Sequence, residues 1–158
     1  MLSYQGYALL LIPLFAFAEA CVGIGLFVSG AFLVIVASFV QREELVDIQY
    51  ISLLAMLGAF AGDQLGYYCG RWIGPRFHHM RLVQRYPASI DKAETLIRRY
   101  GAGAVFIGRF IPAIRSVIPA LLGISQYDRL RYALLDLLAC GLWSVALGGI
   151  LIGLEFAL

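Results

Sequence analysis

The chain has 158 residues, of which 61% are hydrophobic and only 14% are Asp, Glu, Lys or Arg. Soluble domains contain about 45–50% apolar and about 25% charged residues, so the composition excludes an ordinary water-soluble domain and predicts a membrane protein. The formal net charge is only +2, and no nucleic-acid partner is expected. The three cysteines are scattered without a CxxC pair, so neither a disulfide framework nor a metal site is predicted.

The first predicted element is a broken, re-entrant helical hairpin over residues 7–40. As one helix this apolar stretch would be about 50 Å long, which is too long for one crossing of a hydrocarbon core about 30 Å thick. Two crossings would need about 40 residues plus a turn. Non-helical backbone at membrane depth is tolerated only inside protein or beside water. The apex is therefore expected among three glycines, which are Gly23, Gly25 and Gly30.

A transmembrane helix is predicted next, over residues 48–70. A glycine recurs there at every fourth position, and small residues at this spacing let another backbone approach closely. These glycines are therefore predicted to form a packing ridge: Gly58, Gly62, Gly66, Gly70 and Gly74. The expected partner is a comparable row on the last predicted span: Gly141, Gly149 and Gly153.

A basic surface segment follows at residues 76–100. Residues 71–100 carry seven basic and two acidic side chains, which predicts a cytoplasmic location, whereas the acidic residues 41–50 are expected outside. The sequence Asp91-Lys92-Ala93-Glu94 has the pattern of a capping box. It predicts a short amphipathic helix that anchors to anionic lipid.

A second re-entrant hairpin is predicted over residues 101–125, which contain Arg109, Pro112, Arg115 and Pro119. Prolines break the helical hydrogen-bond ladder, and each arginine at the bilayer centre costs about 2.5–3.5 kcal/mol. A final span is predicted at 132–154. The order of hairpin and span thus occurs twice, in opposite orientations, which is typical of the inverted repeats of secondary transporters.

Ionisable groups at membrane depth are candidate functional residues, and four stand out: Glu19, Asp63, Arg109 and Arg115. A bend at Pro112 would bring both guanidinium groups to one cavity, and their planar donor forks suit phosphate. Glu19 and Asp63 are the proton-coupling candidates. The alternative is that these two acids only neutralise the arginines and lock the hairpins together.

Two further acids, Asp136 and Glu155, lie nearer the ends of the last span and are expected at the membrane interface. No hydrolytic motif is present: the chain has no GxSxG, HExxH or GxxxxGK[ST] sequence, so an enzyme is not expected. No cofactor is expected either.

Several segments together resemble the DedA family. The block G-R-F-x-P-x-x-R begins at Gly108 and is followed by P-x-x-x-G-x-S from Pro119, while G-D-x-x-x-Y-x-x-G begins at Gly62. The run from Phe17 to Gly30 and Trp143 extend the resemblance over nearly the whole chain. It implies a multi-pass bacterial inner-membrane protein of the SNARE-associated or VTT-domain type, with two facing re-entrant hairpins.

The resemblance also implies lipid translocation, including the recycling of undecaprenyl phosphate, and dependence on the proton motive force. It places functional residues at Glu19, Arg109 and Arg115, with Asp63 as a fourth. The chain departs from the family where Ser29-Gly30 replaces Pro-Gly and where Ala31 replaces an acid. Many members also continue into a C-terminal helix beyond the position of Leu158, which a partner subunit in a homo-oligomer would supply.

The sequence therefore predicts an all-α membrane protein of one domain, residues 1–158, with two re-entrant hairpins, two or more transmembrane helices and a short amphipathic cytoplasmic helix. The expected function is a transporter or flippase of an anionic phosphorylated lipid, such as undecaprenyl phosphate or a phospholipid, linked to protons. Two alternatives stay open: a passive lipid scramblase, and a non-transporting scaffold for membrane homeostasis whose buried charges are structural.

Overall fold

A computed structural model describes residues 2–21, 30–42, 46–79, 84–85, 87–111 and 114–157. Within these ranges the chain is helical and contains no strand, which confirms the all-α class. Two short 3₁₀ segments, Gly74–His79 and Gly101–Gly103, flank the amphipathic helix. The α-helices are α1 (Leu2–Ala20), α2 (Gly30–Arg42), α3 (Ile48–Ile73), α4 (Pro87–Tyr100), α5 (Ala104–Arg109), α6 (Val117–Ile124) and α7 (Arg129–Ala157).

The stretch predicted as the first hairpin contains α1 and α2, which pack on each other. With 19 and 13 residues, they are about 28 Å and 20 Å long. Pro13 lies inside α1, and Gly30 begins α2. Gly23 and Gly25, expected at the apex, lie outside the described residues.

The two predicted spans lie within the longest helices, α3 with 26 residues and α7 with 29 residues. Their lengths of about 39 Å and 44 Å exceed the thickness of a hydrocarbon core. Among the described helices, the stretch Arg129–Gly153 is long and apolar enough to cross a membrane by length and composition. Helix α3 ends where Gly74 takes a φ of +58°, a left-handed conformation that glycine adopts readily.

The glycine ridge of α3 packs against two other helices. A side chain at Gly58 would meet the backbone of Pro13 in α1, and one at Gly62 would lie 2.7 Å from the carbonyl oxygen of Phe17. One turn beyond the buried Gly66, a side chain at Gly70 would meet the carbonyl of Ala120 in α6. The ridge therefore joins α3 to both predicted hairpins.

Of the predicted row on α7, Gly141 does face α3, since a Cβ there would lie 4.0 Å from Met56 Sδ. The predicted packing of the ridge against Gly149 and Gly153 is wrong. Helices α3 and α7 do touch, but no described atom lies within 4 Å of a Cβ built at either of these glycines. The α7 glycine that faces α3 most closely is Gly148, where a Cβ would lie 3.0 Å from Ser52 Oγ. The reason is helical geometry, because Gly148 lies about 100° around the helix from Gly149.

The basic segment contains the predicted amphipathic helix, α4. Its buried residues Ile90 and Ala93 belong to an apolar core that includes α5 and α6. The apolar face of α4 therefore packs in part against protein, with Leu96 and Ile97 partly buried and Tyr100 exposed. Its contact with anionic lipid stays a prediction. Arg98 and Arg99 are exposed and remain available to anionic headgroups.

Two apolar cores lie along α3 and α7. One is formed with α1 and α2 and contains Ile12, Leu33 and Leu147. The other is formed with α4, α5 and α6 and contains Tyr67 and Ile118. Asp63, between the ridge glycines Gly62 and Gly66, lies where α3 passes from one core to the other.

Candidate functional site

The four predicted site residues come from four different parts of the fold. Glu19 lies near the end of α1 and Asp63 in the middle of α3, while Arg109 ends α5 and Arg115 lies in the turn before α6. All four are at most 8% exposed. The structure brings them together at the junction of the two cores, although they are far apart in sequence.

Arg109 is held by two carboxylates. Its Nη1 donates to Asp63 Oδ2 at 2.7 Å and to Asp136 Oδ1 at 3.2 Å. The side chains of Arg109, Asp63 and Asp136 are 2%, 1% and 0% exposed. Gln64 Nε2 donates to the second oxygen of Asp136 at 3.0 Å. This cluster therefore joins α5 to both long helices.

Arg115 forms a simpler pair, in which its Nη1 donates to Glu19 Oε1 at 2.9 Å. The two side chains are 5% and 10% exposed. This contact joins the end of α1 to the turn before α6 and so links the two predicted hairpins. Removal of one partner would leave a buried charge without compensation.

Both guanidinium groups lie over the same indole ring. The distance from the ring centroid of Trp143 to the guanidinium carbon is 5.9 Å for Arg109 and 5.4 Å for Arg115. Cation–π attraction acts within about 6 Å of the ring. Trp143 therefore helps to hold two like charges side by side.

A small cavity lies between the charged groups. Its lining includes Asp63, Arg109, Arg115 and Asp136, with Val105, Ile118 and Pro119 as apolar walls. Its water-accessible volume is about 10 Å³, which suits about one water molecule. Pro112, which was expected to supply the bend between the arginines, lies outside the described residues.

Several polar atoms of this site have no hydrogen-bond partner in the part of the chain that the structure describes. The donors are Arg109 Nε, Arg109 Nη2 and Arg115 Nη2, and the acceptors are Glu19 Oε2 and Asp63 Oδ1. Buried donors without a partner are costly. The arginines therefore retain unused capacity to bind oxygen atoms.

Asp136 is the site residue that sequence reasoning missed. The expectation of an interfacial position is wrong, because the residue is 0% exposed and bound to Arg109. Helix α7 begins at Arg129, so Asp136 lies two turns inside it. The sequence signal that could have identified Asp136 is its spacing of about four residues from both Tyr132 and Cys140. This spacing places the three residues on one face of the helix, and both neighbours are buried. The side chain of Glu155 lies outside the described part of the structure.

Asp63, Asp136 and Cys140 also bring potential metal ligands within 4.8 Å of one another. Arg109 already supplies a cation to both carboxylates. A metal ion would have to displace this guanidinium group, so the geometry gives no reason to assign a metal site.

The stacked rings of Tyr67 and Tyr132 fix α7 against α3 beside Asp63. Their centroids are 4.4 Å apart, and Tyr132 Oη donates to the backbone carbonyl of Asp63 at 3.3 Å. Tyr67 Oη donates to the carbonyl of Tyr127. These contacts orient the part of α3 that carries the carboxylate.

Comparison with known proteins gives a consistent family. The VTT domain model matches residues 8–152. Inner membrane protein YohD of Escherichia coli is 26% identical over 92% of this chain and 68% of its own length. Inner membrane protein YabI of the same organism is 24% identical over 87% of this chain and 54% of its own length.

A further relative is undecaprenyl phosphate transporter A of Bacillus subtilis, which is 35% identical over 51% of this chain and 40% of its own length. The chain spans about half the length of most of these relatives. No solved structure matches it. The family match and the inner-membrane relatives confirm the predicted location in the bacterial inner membrane. The chain therefore belongs to the VTT-domain family, the DedA family of membrane proteins.

Proposed function

We propose that this protein moves an anionic phosphorylated lipid across the bacterial inner membrane, with the lipid phosphate bound by Arg109 and Arg115. The observation that carries the proposal is the pair of buried guanidinium groups over one indole ring, with three N–H-bearing atoms that lack partners among the described residues. Arginine suits phosphate because its planar fork donates two parallel hydrogen bonds.

We propose two re-entrant hairpins in an inverted repeat, and the lengths of α5 and α6 support the second hairpin. Helices α5 and α6 have six and eight residues, about 9 Å and 12 Å, so neither crosses a hydrocarbon core about 30 Å thick. Both α1 and α6 contact α3, one on each side of Asp63. In this arrangement the hairpins, 7–40 and 101–125, meet between the spans, 48–70 and 132–154.

The carboxylates hold the two guanidinium groups to which the lipid phosphate would bind. Glu19 holds Arg115, and Asp63 holds Arg109. The cavity fits about one water molecule, so the ion pairs must open before a headgroup enters. Each carboxylate that takes up a proton releases its guanidinium group for the lipid phosphate. Proton uptake and lipid binding are thereby linked, with Glu19 and Asp63 as the candidates.

The name of one relative, undecaprenyl phosphate transporter A, supports a lipid phosphate as the substrate. Undecaprenyl phosphate and a phospholipid share the anionic phosphate that the two arginines would recognise. The neighbouring apolar side chains of Ile118 and Val105 suit the start of an acyl or prenyl chain.

The test is translocation of a headgroup-labelled anionic phospholipid, and separately of undecaprenyl phosphate, in vesicles containing the purified protein. Wild-type protein is expected to move at least one of them, and Arg109→Met and Arg115→Met to abolish the movement. Unchanged translocation in both variants would overturn the proposal. A proton gradient that leaves the direction of net movement unaltered would favour a passive scramblase.

A second candidate, a non-transporting scaffold, is favoured by the small volume of the cavity and by the ion pairs that join distant helices. In that case the charges stabilise the fold and bind no lipid. Variants of Glu19, Arg109 and Arg115 would then lose stability, and wild-type vesicles would show no translocation above that of protein-free vesicles.

A further inference from the structure

We propose that Asp63 and Asp136 form a shared proton-binding site on Arg109 that carries one proton between them. This site is separate from the Arg115–Glu19 pair. The inference rests on the proposed function only for what the proton drives, because the site itself follows from the geometry of the carboxylates.

The first argument is stoichiometry. Arg109 Nη1 serves both Asp63 and Asp136, whereas Arg115 serves Glu19. Two carboxylates that share one buried site do not both ionise readily. Buried charges in proteins are paired, and an excess charge is removed by a change of protonation. One proton on the aspartate pair balances Arg109.

The second argument is the environment of the pair. Arg109 comes from α5 and Arg115 from the turn before α6, while α1 contributes Glu19. Helix α7 adds two neutral side chains. Tyr132 donates to the backbone carbonyl of Asp63, and the Sγ atom of Cys140 lies 3.9 Å from Asp136 Oδ1. The described cluster thus contains two guanidinium groups and three carboxylates. It is neutral when it holds one proton.

The third argument identifies the carboxylate oxygen that carries the proton. Both oxygens of Asp136 accept hydrogen bonds, from Arg109 and from Gln64. Asp63 Oδ2 accepts from Arg109, but Asp63 Oδ1 has no donor among the described residues. Asp63 Oδ1 therefore has room for the proton, while Asp136 keeps Arg109 paired.

Binding of the proton changes the negative charge that faces Arg109. Nε and Nη2 of Arg109 have no partner among the described residues, although both carboxylates contact Nη1. With the proton bound, a single carboxylate charge faces Arg109, and a headgroup oxygen at these atoms meets less negative charge. When the proton leaves, two carboxylate charges face the guanidinium group and disfavour a further anion. Arrival of a proton and arrival of an anionic headgroup at Arg109 are thus coupled at Asp63 and Asp136.

Infrared spectroscopy of the reconstituted full chain tests the site directly. The chain has five aspartates, and three of them, Asp47, Asp91 and Asp128, are exposed. At neutral pH we expect the carbonyl stretch of a protonated carboxylic acid, and we expect it to shift when aspartate is ¹³C-labelled at its side-chain carboxyl. Absence of this band, or a band that labelling leaves unshifted, would overturn the proposal.

Variants then locate the proton. Asp63→Asn and Asp136→Asn are each expected to remove the band, whereas the exposed control Asp128→Asn retains it. Retention of the band in both Asp63→Asn and Asp136→Asn would contradict the proposal. The isotope experiment needs no substitution, so it decides the question even if a variant does not fold.

Vesicle experiments separate this inference from the proposed function. Asp136→Asn is expected to lose the acceleration of lipid movement by an imposed pH gradient, which Asp128→Asn keeps. A retained response in Asp136→Asn would overturn the proton site. An aspartate band in a protein that moves no lipid would refute the proposed function and leave the proton site established.

Discussion

The contact between Arg115 and Glu19 gives a quantitative test of whether these charges serve the fold alone. The two side chains are 5% and 10% exposed, and their N–O distance is 2.9 Å. Glu19→Gln leaves a buried guanidinium group without its carboxylate, and Arg115→Met leaves the carboxylate without its cation. Breaking a buried pair from one side costs about 3–5 kcal/mol, so each variant is expected to lose unfolding free energy in this range.

The double variant Arg115→Met/Glu19→Gln removes both charges with little change in volume. Replacement of a whole buried pair is often close to neutral. Its loss of unfolding free energy is therefore expected to be smaller than either single loss, and so far below their sum. Arg115→Met is expected at the lower end of the range, because Glu19 can take up a proton.

The assay is chemical unfolding in detergent for the four proteins, with lipid translocation measured on the same preparations. The proposed function predicts that the double variant regains stability without regaining translocation, since the phosphate ligand is gone. Additive losses of stability would refute the contact between the two residues. Recovery of translocation together with stability would refute a direct role of Arg115 in binding lipid.

Three further predictions test the packing, the aromatic contact and the orientation. Gly70→Ala places a methyl group against the carbonyl of Ala120 and is expected to lower the unfolding free energy by about 1–3 kcal/mol. The control Gly149→Ala, which has open space around it, is expected to stay within about 1 kcal/mol of wild type. Equal losses in the two variants would contradict the packing of the glycine ridge. Trp143→Leu removes two cation–π contacts of about 0.5–2 kcal/mol each and is expected to lower the unfolding free energy. Trp143→Phe is expected to recover part of this loss in the same unfolding assay. Trp72→Phe, at a residue that is 92% exposed, is the control that is expected to leave stability unchanged. The orientation is tested with Arg98→Cys in a Cys69→Ser background, where the remaining Cys21 and Cys140 are buried. The new cysteine is expected to react with an impermeant thiol reagent only after the inner membrane is opened. Reaction in intact spheroplasts would reverse the predicted orientation.

The sequence predicted the helices well because apolar length and glycine spacing are local properties. The limits of the apolar runs lie within three residues of the ends of α3 and α7. The capping pattern at Asp91 indicated a helix there but misplaced its start, because α4 begins at Pro87, which fits the first turn of a helix, and Asp91 lies inside α4. The rule that charges at membrane depth need a partner also identified Glu19, Asp63, Arg109 and Arg115. These four meet in the fold.

The sequence did not predict what covers each face, because periodicity defines a face and not its partner. The ridge at Gly58 and Gly70 meets α1 and α6 instead of the row at Gly149. Asp136 was misjudged for a similar reason: distance from the end of a span does not reveal which side of the helix is buried. Its pairing with Arg109 depends on how α5 folds back onto α7, which no local pattern records.

The most direct test of the central claim is headgroup selectivity of lipid movement in vesicles containing the wild-type protein and Arg115→Lys. Both an anionic and a zwitterionic phospholipid carry a phosphate, but the zwitterionic headgroup adds a cationic amine that the two guanidinium groups repel. The account therefore predicts faster movement of the anionic lipid when the acyl chains are the same. It also predicts a large loss of this preference in Arg115→Lys, because lysine lacks the bidentate fork. Equal rates for the two lipids in wild-type protein, or an unchanged preference in Arg115→Lys, would contradict the account.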